Sequence, residues 1–234
     1  MSPHRSLDVA RLGVVQYETA LTLQTAMVAA RIEDRIGDTL LLLEHPHVLT
    51  LGRGADERFI VDNGAHLPVF RVSRGGQVTY HGPGQLVAYP ILRLEGAARD
   101  VGAYLRNLEQ VMIDALSRYG IVAERRKGLT GVWIGTRKIA SIGVGLKRWV
   151  TYHGLAINVS TDLDRFAAIV PCGIDGCEMA SVAGEGHPEV TMREFGDALA
   201  MAFGAVFGHD VITTIESAAL WRLVDTSANI PQAR

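Results

Sequence analysis

Apolar positions recur along the chain in two periods, and together they predict most of its elements. Val9 to Val15 reads as a short strand. From Tyr17 to Ile36 apolar residues return at helical spacing, at Leu21, Met27, Val28 and Ile32, and predict a helix. Thr39 to Leu43 is an unbroken apolar run that fits a buried strand, and Val69 to Val72 and Leu86 to Leu92 read as two more. Asp100 suits the N-cap of a helix reaching Tyr119, with a stripe of Val101, Tyr104, Leu105, Leu108, Met112, Leu116 and Tyr119 and with Gly120 at C′. Between Thr130 and Val159 the composition turns to Val, Ile, Trp, Thr and Gly. There Gly135-Thr136 resembles a hairpin turn, with strands continuing over Arg137 to Leu146 and Val150 to Val159. Thr191 and Glu194 form a capping box that opens a helix to about Phe207. His209 to Ile212 fits a last strand and Glu216 to Leu223 a last helix.

Several strands in succession between long helices favour an α+β fold with a mixed or largely antiparallel sheet over a doubly wound parallel one. Composition agrees with a globular chain: of 234 residues, 48% are hydrophobic and 21% charged. We read one domain over residues 1–234, with room for a small C-terminal lobe from about residue 175, where glycines cluster. The net charge of −2 lacks the basic excess of a nucleic-acid binder. Gly75 to Leu92 is free of Asp, Glu, Lys and Arg, but its glycines and prolines do not build a membrane span. Residues Met1 to Gly13 carry no apolar core of a signal peptide. With two cysteines only, Cys172 and Cys177, no disulfide framework is expected, and the chain reads as cytoplasmic.

Four stretches carry candidate chemistry. Arg74-Gly-Gly-Gln-Val-Thr-Tyr-His-Gly-Pro-Gly-Gln85 combines glycines, which let backbone approach a ligand, with polar handles at Arg74, Thr79, Tyr80, His81 and Gln85. It matches neither a Walker loop nor GxGxxG, and by itself it also reads as a Gly-rich turn. Pro171-Cys-Gly-Ile174 sets a thiol between a rigid and a flexible residue, a suitable place for a nucleophile, although a lone cysteine is more often an inert buried group. Lysine occurs only at Lys127, Lys138 and Lys147, against 20 arginines. A lysine kept in such a chain points to what arginine lacks, the capacity to lose a proton. Lys138, in the apolar Trp133 to Gly143 stretch, is the strongest candidate for a base, against the plainer reading of a head that reaches solvent. Thr151-Tyr-His-Gly154 repeats the tetrapeptide Thr79 to Gly82, so His153 is either an auxiliary site residue or a core histidine. Cys172 with Cys177, and His45-Pro-His47, supply too few ligands at the wrong spacing for a metal.

Taken in order, these pieces resemble the lipoyl(octanoyl) transferase family of lipoate biosynthesis. The matching residues are Arg74 to Gln85, Lys138 with Ser141-Ile-Gly143, His153-Gly-Leu-Ala-Ile-Asn158 continuing to Leu163, Pro171-Cys-Gly-Ile174, and Leu51-Gly-Arg53 after His45-Pro-His47. The resemblance implies a fold like that of the biotin and lipoate protein ligases: a mixed sheet flanked by helices, with a smaller C-terminal sheet region. It implies transfer of an octanoyl or lipoyl group from acyl carrier protein to a lysine of a lipoyl domain. Acceptors would be the 2-oxoacid dehydrogenase complexes and the glycine-cleavage H protein. Cys172 would form an acyl-thioester and Lys138 would activate it. Arg74, Gly75, Gly76, Gln77, Val78, Thr79, Tyr80 and His81, with Ser141, Ile142, Gly143, Gly154, Leu155 and Ala156, would line the acyl pocket. No cofactor, metal, nucleic acid or membrane enters this expectation, and Cys177 has no role in it. The rivals are an ATP-dependent ligase on the same fold, a thiol hydrolase, and a non-catalytic acyl-binding module.

Overall fold

The structure is a computed structural model that describes residues 5–61, 66–174 and 176–228; the side chains of Cys172 and of residues 225–228 lie outside what is described. In chain order the elements are β1 (Ser6–Val14), α1 (Tyr17–Ile32), β2 (Thr39–Glu44), β3 (Val48–Leu51), β4 (Val69–Arg71), β5 (Val78–His81), β6 (Gln85–Ile91), α2 (Val101–Ser117), β7 (Glu124–Arg126), β8 (Leu129–Ile134), β9 (Arg137–Lys147), β10 (Val150–Asn158), α3 (Met192–Phe207), β11 (Val211–Thr214) and α4 (Ser217–Ala228).

Eight strands form one sheet in the order β11-β1-β2-β6-β10-β9-β8-β7. β1 runs parallel to both β11 and β2, and every other pairing in this sheet is antiparallel. The expected mixed sheet flanked by helices is therefore present. All six residues of β2 but the last are buried, as the unbroken Leu run requires for a central strand covered on both faces. One face packs its Leu40, Leu42, Ala88, Leu155 and Ile157 with the stripes of α2 and α3. The other packs Leu41, Leu43, Val87, Tyr89 and Ala156 with α1 and, through Leu220, α4.

Asp100 caps α2 by accepting from the Ala103 N–H, and Thr191 and Glu194 close the capping box of α3. α1 ends at Ile32 rather than at Ile36. The Arg93 guanidinium donates to the Arg31 and Ile32 carbonyls at 2.7 Å each, and Asp34 turns left-handed at φ 55°. A cap delivered from 60 residues away leaves no local signature. α2 likewise ends at Ser117, and Gly120 takes the left-handed conformation (φ 70°) two residues beyond the C-cap Arg118.

The smaller sheet differs from expectation in its place. It has the order β4-β3-β5 and is built from residues 48–81, not from the C-terminal part. Its core of Leu49, Leu51, Val78 and Tyr80 is completed by Phe166 and Ile169 from the segment ahead of Cys172. The C-terminal elements instead join the main body, β11 as an edge strand on β1 and α3 against α2. No helix among the described residues is long and apolar enough to cross a membrane.

Candidate active site

Lys138 reaches its position through a bulge. Val132 pairs with Ala140 but the next residue, Trp133, pairs with Lys138, so Ile139 is an extra residue in β9. Ile139 and Ala140 both enter the α2–α3 core. The bulge thereby turns Lys138 onto the same face as Ser141 and Gly143, the re-aiming for which bulges beside sites are known. Lys138 is 1% exposed. Its Nζ donates to the Thr130 carbonyl at 3.1 Å and sits 5.3 Å from the Trp133 ring centre. Room for the side chain comes from Gly131, whose φ of 124° is open to glycine and where a Cβ would stand 2.7 Å from Lys138 Cε. Gly131 is held by its N–H donating to Glu109 Oε1 at 3.1 Å, and Glu109, fully buried on α2, is bonded in turn by Arg106 at 2.7 Å.

The glycine-rich stretch divides into a loop and a strand. Arg74 is buried and gathers the loop onto β3: its guanidinium donates to the carbonyls of Gly75, Gln77 and Thr50 and to Thr50 Oγ1 at 2.7–2.9 Å. Gly52 explains Leu51-Gly-Arg53, because a Cβ there would lie 1.9 Å from the Gly76 carbonyl oxygen. The Thr50 hydroxyl reaches His81 Nε2 at 3.4 Å, and His81 Nδ1–H donates to Gln85 Oε1 at 2.7 Å. Gln85 then donates to Asn158 at 3.0 Å, and Asn158 to the Ala180 carbonyl at 3.0 Å. One buried chain of hydrogen bonds thus ties the loop to the residues after Cys172. Burial holds His81 down at about 3 and the adjacent His45 at about 4, so both rings are neutral at pH 7.

These parts enclose a largely apolar cavity of about 240 Å³. Its lining includes Lys138, Arg74, Gly76, Gln77, Val78, Thr79, His81, Ser141, Ile142, Gly143, Gly154, Leu155, Ala156 and His153. Two residues expected there lie elsewhere. Tyr80 faces the small-sheet core, its hydroxyl 2.7 Å from His47 Nδ1 and its ring against Phe166, because alternation along β5 sends it away from its neighbours. Gly75 lines an adjoining groove and donates its N–H to the Val144 carbonyl at 3.0 Å. The cavity also takes in Tyr17, Val87, Tyr89, Gly128, Leu129, Thr130 and Ile174, which motif reading missed. Val87 and Tyr89 were within reach of period-two alternation once Ala156 was placed. Tyr17 arrives by tertiary packing alone.

Cys172 lies by its backbone in a 3₁₀ turn, Pro171–Gly173, that packs against β5. The Gly173 and Ile174 N–H groups close that turn on Val170 and Pro171 at 3.0 and 3.1 Å, so they are committed. Ile174 lines the cavity beside Lys138. The chain then crosses Lys138 again: the Lys138 N–H donates to the Glu178 carbonyl and the Ala180 N–H to the Lys138 carbonyl, both at 2.8 Å. Cys177 is half-buried with its Sγ 3.8 Å from the Glu178 carbonyl oxygen. Among the described residues no three His, Cys, Asp or Glu side chains gather as a metal site.

Three comparisons place the chain among known proteins. The family model of the lipoyl protein ligase A/B catalytic domain matches residues 16–204. An octanoyltransferase of Gloeobacter violaceus is 49% identical over 84% of this chain and 88% of its own length. One of Solibacter usitatus is 48% identical over 92% and 99%. Among solved structures, a bi-partite lipoate protein ligase of Thermoplasma acidophilum, described with its E2 lipoyl domain, has a TM-score of 0.73 at 20% identity, covering 95% of this chain and 92% of that one.

Proposed function

The chain belongs to the lipoyl protein ligase A/B catalytic domain family, and on that premise we propose how it carries out the octanoyl transfer for which its relatives are named. It is an acyltransferase of protein lipoylation, and its acceptor is a lipoyl domain. In the finer reading the donor is octanoyl acyl carrier protein. The acceptors are the lipoyl domains of 2-oxoacid dehydrogenase complexes and the glycine-cleavage H protein, and the reaction runs in the cytoplasm. One acyltransferase domain over residues 1–234 does the work, without metal or cofactor.

The observation that carries this reading is Lys138. A fully buried amine is turned by a bulge toward an apolar cavity and bonded through its backbone to the segment that follows Cys172. In the proposed sequence Lys138 takes the Cys172 thiol proton and the thiolate attacks the octanoyl thioester carbon. The carrier thiolate leaves and takes up a proton, so one thioester is exchanged for another and no ATP is consumed. The neutral ε-amine of the acceptor lysine then attacks the enzyme thioester. An amide forms, Cys172 departs as thiolate, and the proton shed by the amine returns to it through Lys138. With the Gly173 and Ile174 amides committed to their turn, the developing oxyanion is left to the Gly-rich loop at Gly76 and Gln77.

The mouth also suggests where an acidic carrier docks. Lys127 is exposed beside Gly128, which lines the cavity, and Arg126 lies over the Trp133 ring at 5.1 Å. Arg125 is committed to Glu109 at 3.2 Å. Lys147 and Arg148 stand at the β9–β10 turn, only a few residues beyond Gly143 on the cavity wall and about 13 Å along the strand at 3.3 Å per residue, so they extend the same basic surface.

The direct test mixes the enzyme with octanoyl carrier protein and an unmodified lipoyl domain, without ATP. Octanoylation of the domain lysine is expected, with a loss of at least a thousandfold in Lys138→Arg, which keeps the charge but cannot accept a proton. ATP dependence would favour a ligase, release of free octanoate a hydrolase, and near-normal transfer by Lys138→Arg would remove the proton-acceptor role.

A further inference from the structure

The far end of the cavity is polar, and its polarity traces to a proline in the sheet. Leu155 pairs with Ala88 and Val150 with Arg93, which sets His153 opposite Pro90. Pro90 has no N–H to offer, and its carbonyl is taken by the Thr151 hydroxyl at 2.7 Å. The His153 N–H turns instead to Gln24 Oε1 of α1, at 2.7 Å. The backbone at His153 is left-handed, φ 54°, an uncommon conformation for a residue within a strand. Regular alternation would send His153 to the face opposite Gly154. In this conformation both line the cavity, and the imidazole stands 6.3 Å from the Tyr89 ring.

His153 differs from the other imidazole on the cavity wall. His81 is bonded at both nitrogens. Neither ring nitrogen of His153 has a partner among the described residues, and neither does Gln24 Nε2, although both side chains are 1% exposed. The end that His153 occupies is closed: Tyr17, Tyr89 and His81 on the same cavity wall are buried, whereas Gly128 and Thr130 at the Lys138 end are exposed.

We propose that His153, held in place by Gln24, ends the acyl cavity and sets the length of chain that the enzyme transfers. This rests on the octanoyl-transfer reading above. A methyl terminus stops short of the imidazole. A longer chain must press apolar carbon against the two unpartnered imidazole nitrogens, which costs more than burying another methylene returns.

The test compares kcat/KM for hexanoyl, octanoyl, decanoyl and dodecanoyl carrier donors in the wild type, His153→Gly and His153→Asn. Glycine and asparagine both accept the left-handed backbone and shorten the side chain. Each methylene that gains a place is worth about fourfold, so the decanoyl-to-octanoyl ratio, which spans two methylenes, is expected to rise about fifteenfold in His153→Gly and less in His153→Asn. A merely structural role would depress all donors together and leave the ratio unchanged, and that result overturns the proposal. If both variants fail to fold, Gln24→Ala, which frees the His153 N–H, is expected to raise the same ratio, and an unchanged ratio there overturns it equally. Absence of octanoyl transfer by the wild type would instead refute the functional reading.

Discussion

At the scale of single residues, the site is a set of polar groups buried where charge is costly. His45 donates through Nδ1–H to the Val15 carbonyl at 2.7 Å and accepts from the Tyr89 hydroxyl at 2.8 Å. Burial lowers His45 and His153 from 6.5 to about 4 each and His81 to about 3. The sign of the linkage follows. Below pH 6.5 the unfolded chain takes up protons that the folded chain refuses. Their contribution is therefore complete above that pH and is lost as the pH falls toward the folded values. Each group has a limiting slope of about 1.4 kcal/mol per pH unit. The melting temperature is expected to be level between pH 8 and 7 and to drop steadily between 6.5 and 4.5. Equal melting at pH 7.5 and 5.0 would mean that these rings are not held neutral. The motifs displayed all three histidines, but the unpartnered state of His153 depends on Pro90 and Gln24, which no local pattern links to it.

At the scale of elements, close approach decides more than propensity. Arg53 N–H donates to the Arg74 carbonyl at 2.9 Å, which brings the turn after β3 onto the Gly-rich loop with no space for a side chain at Gly52. Gly52→Ala is therefore expected to push the loop from its seat. Octanoyl transfer should fall at least tenfold, while far-ultraviolet circular dichroism stays near that of the wild type because the main sheet is untouched. Unimpaired transfer in that variant would show that the seat is not needed. The long elements were legible because their stripes and caps are local: α2, α3 and the β8–β9 hairpin stand close to where periodicity, Asp100, Thr191 and Gly135-Thr136 predicted them. β3 and β5 were not, being four-residue strands set among glycines and prolines, where turn signals outweigh alternation. The bulge at Ile139 was also invisible, since an extra residue shows itself only against the partner strand.

At the scale of the whole molecule, the sheet joins segments that sequence reading treats separately. β1 is paired on one side with β11, some 200 residues away, and on the other with β2. The small sheet closes over the turn that carries Cys172, through Phe166 and Ile169. That closure brings Ile174 of the Cys172 turn, the Gly-rich loop and Lys138 around one cavity, although they are spread over about 100 residues of chain. The order of motifs was readable, and their convergence needed the fold. The central claim is that the acyl group rests on Cys172 between donor and acceptor. Intact-protein mass spectrometry after mixing the enzyme with octanoyl carrier protein, without ATP or acceptor, tests it most directly. The account predicts a gain of one octanoyl group that hydroxylamine removes and that Cys172→Ser does not acquire. An enzyme that modifies lipoyl domains without ever carrying the adduct, or a Cys172→Ser variant that acquires it unchanged, would contradict it.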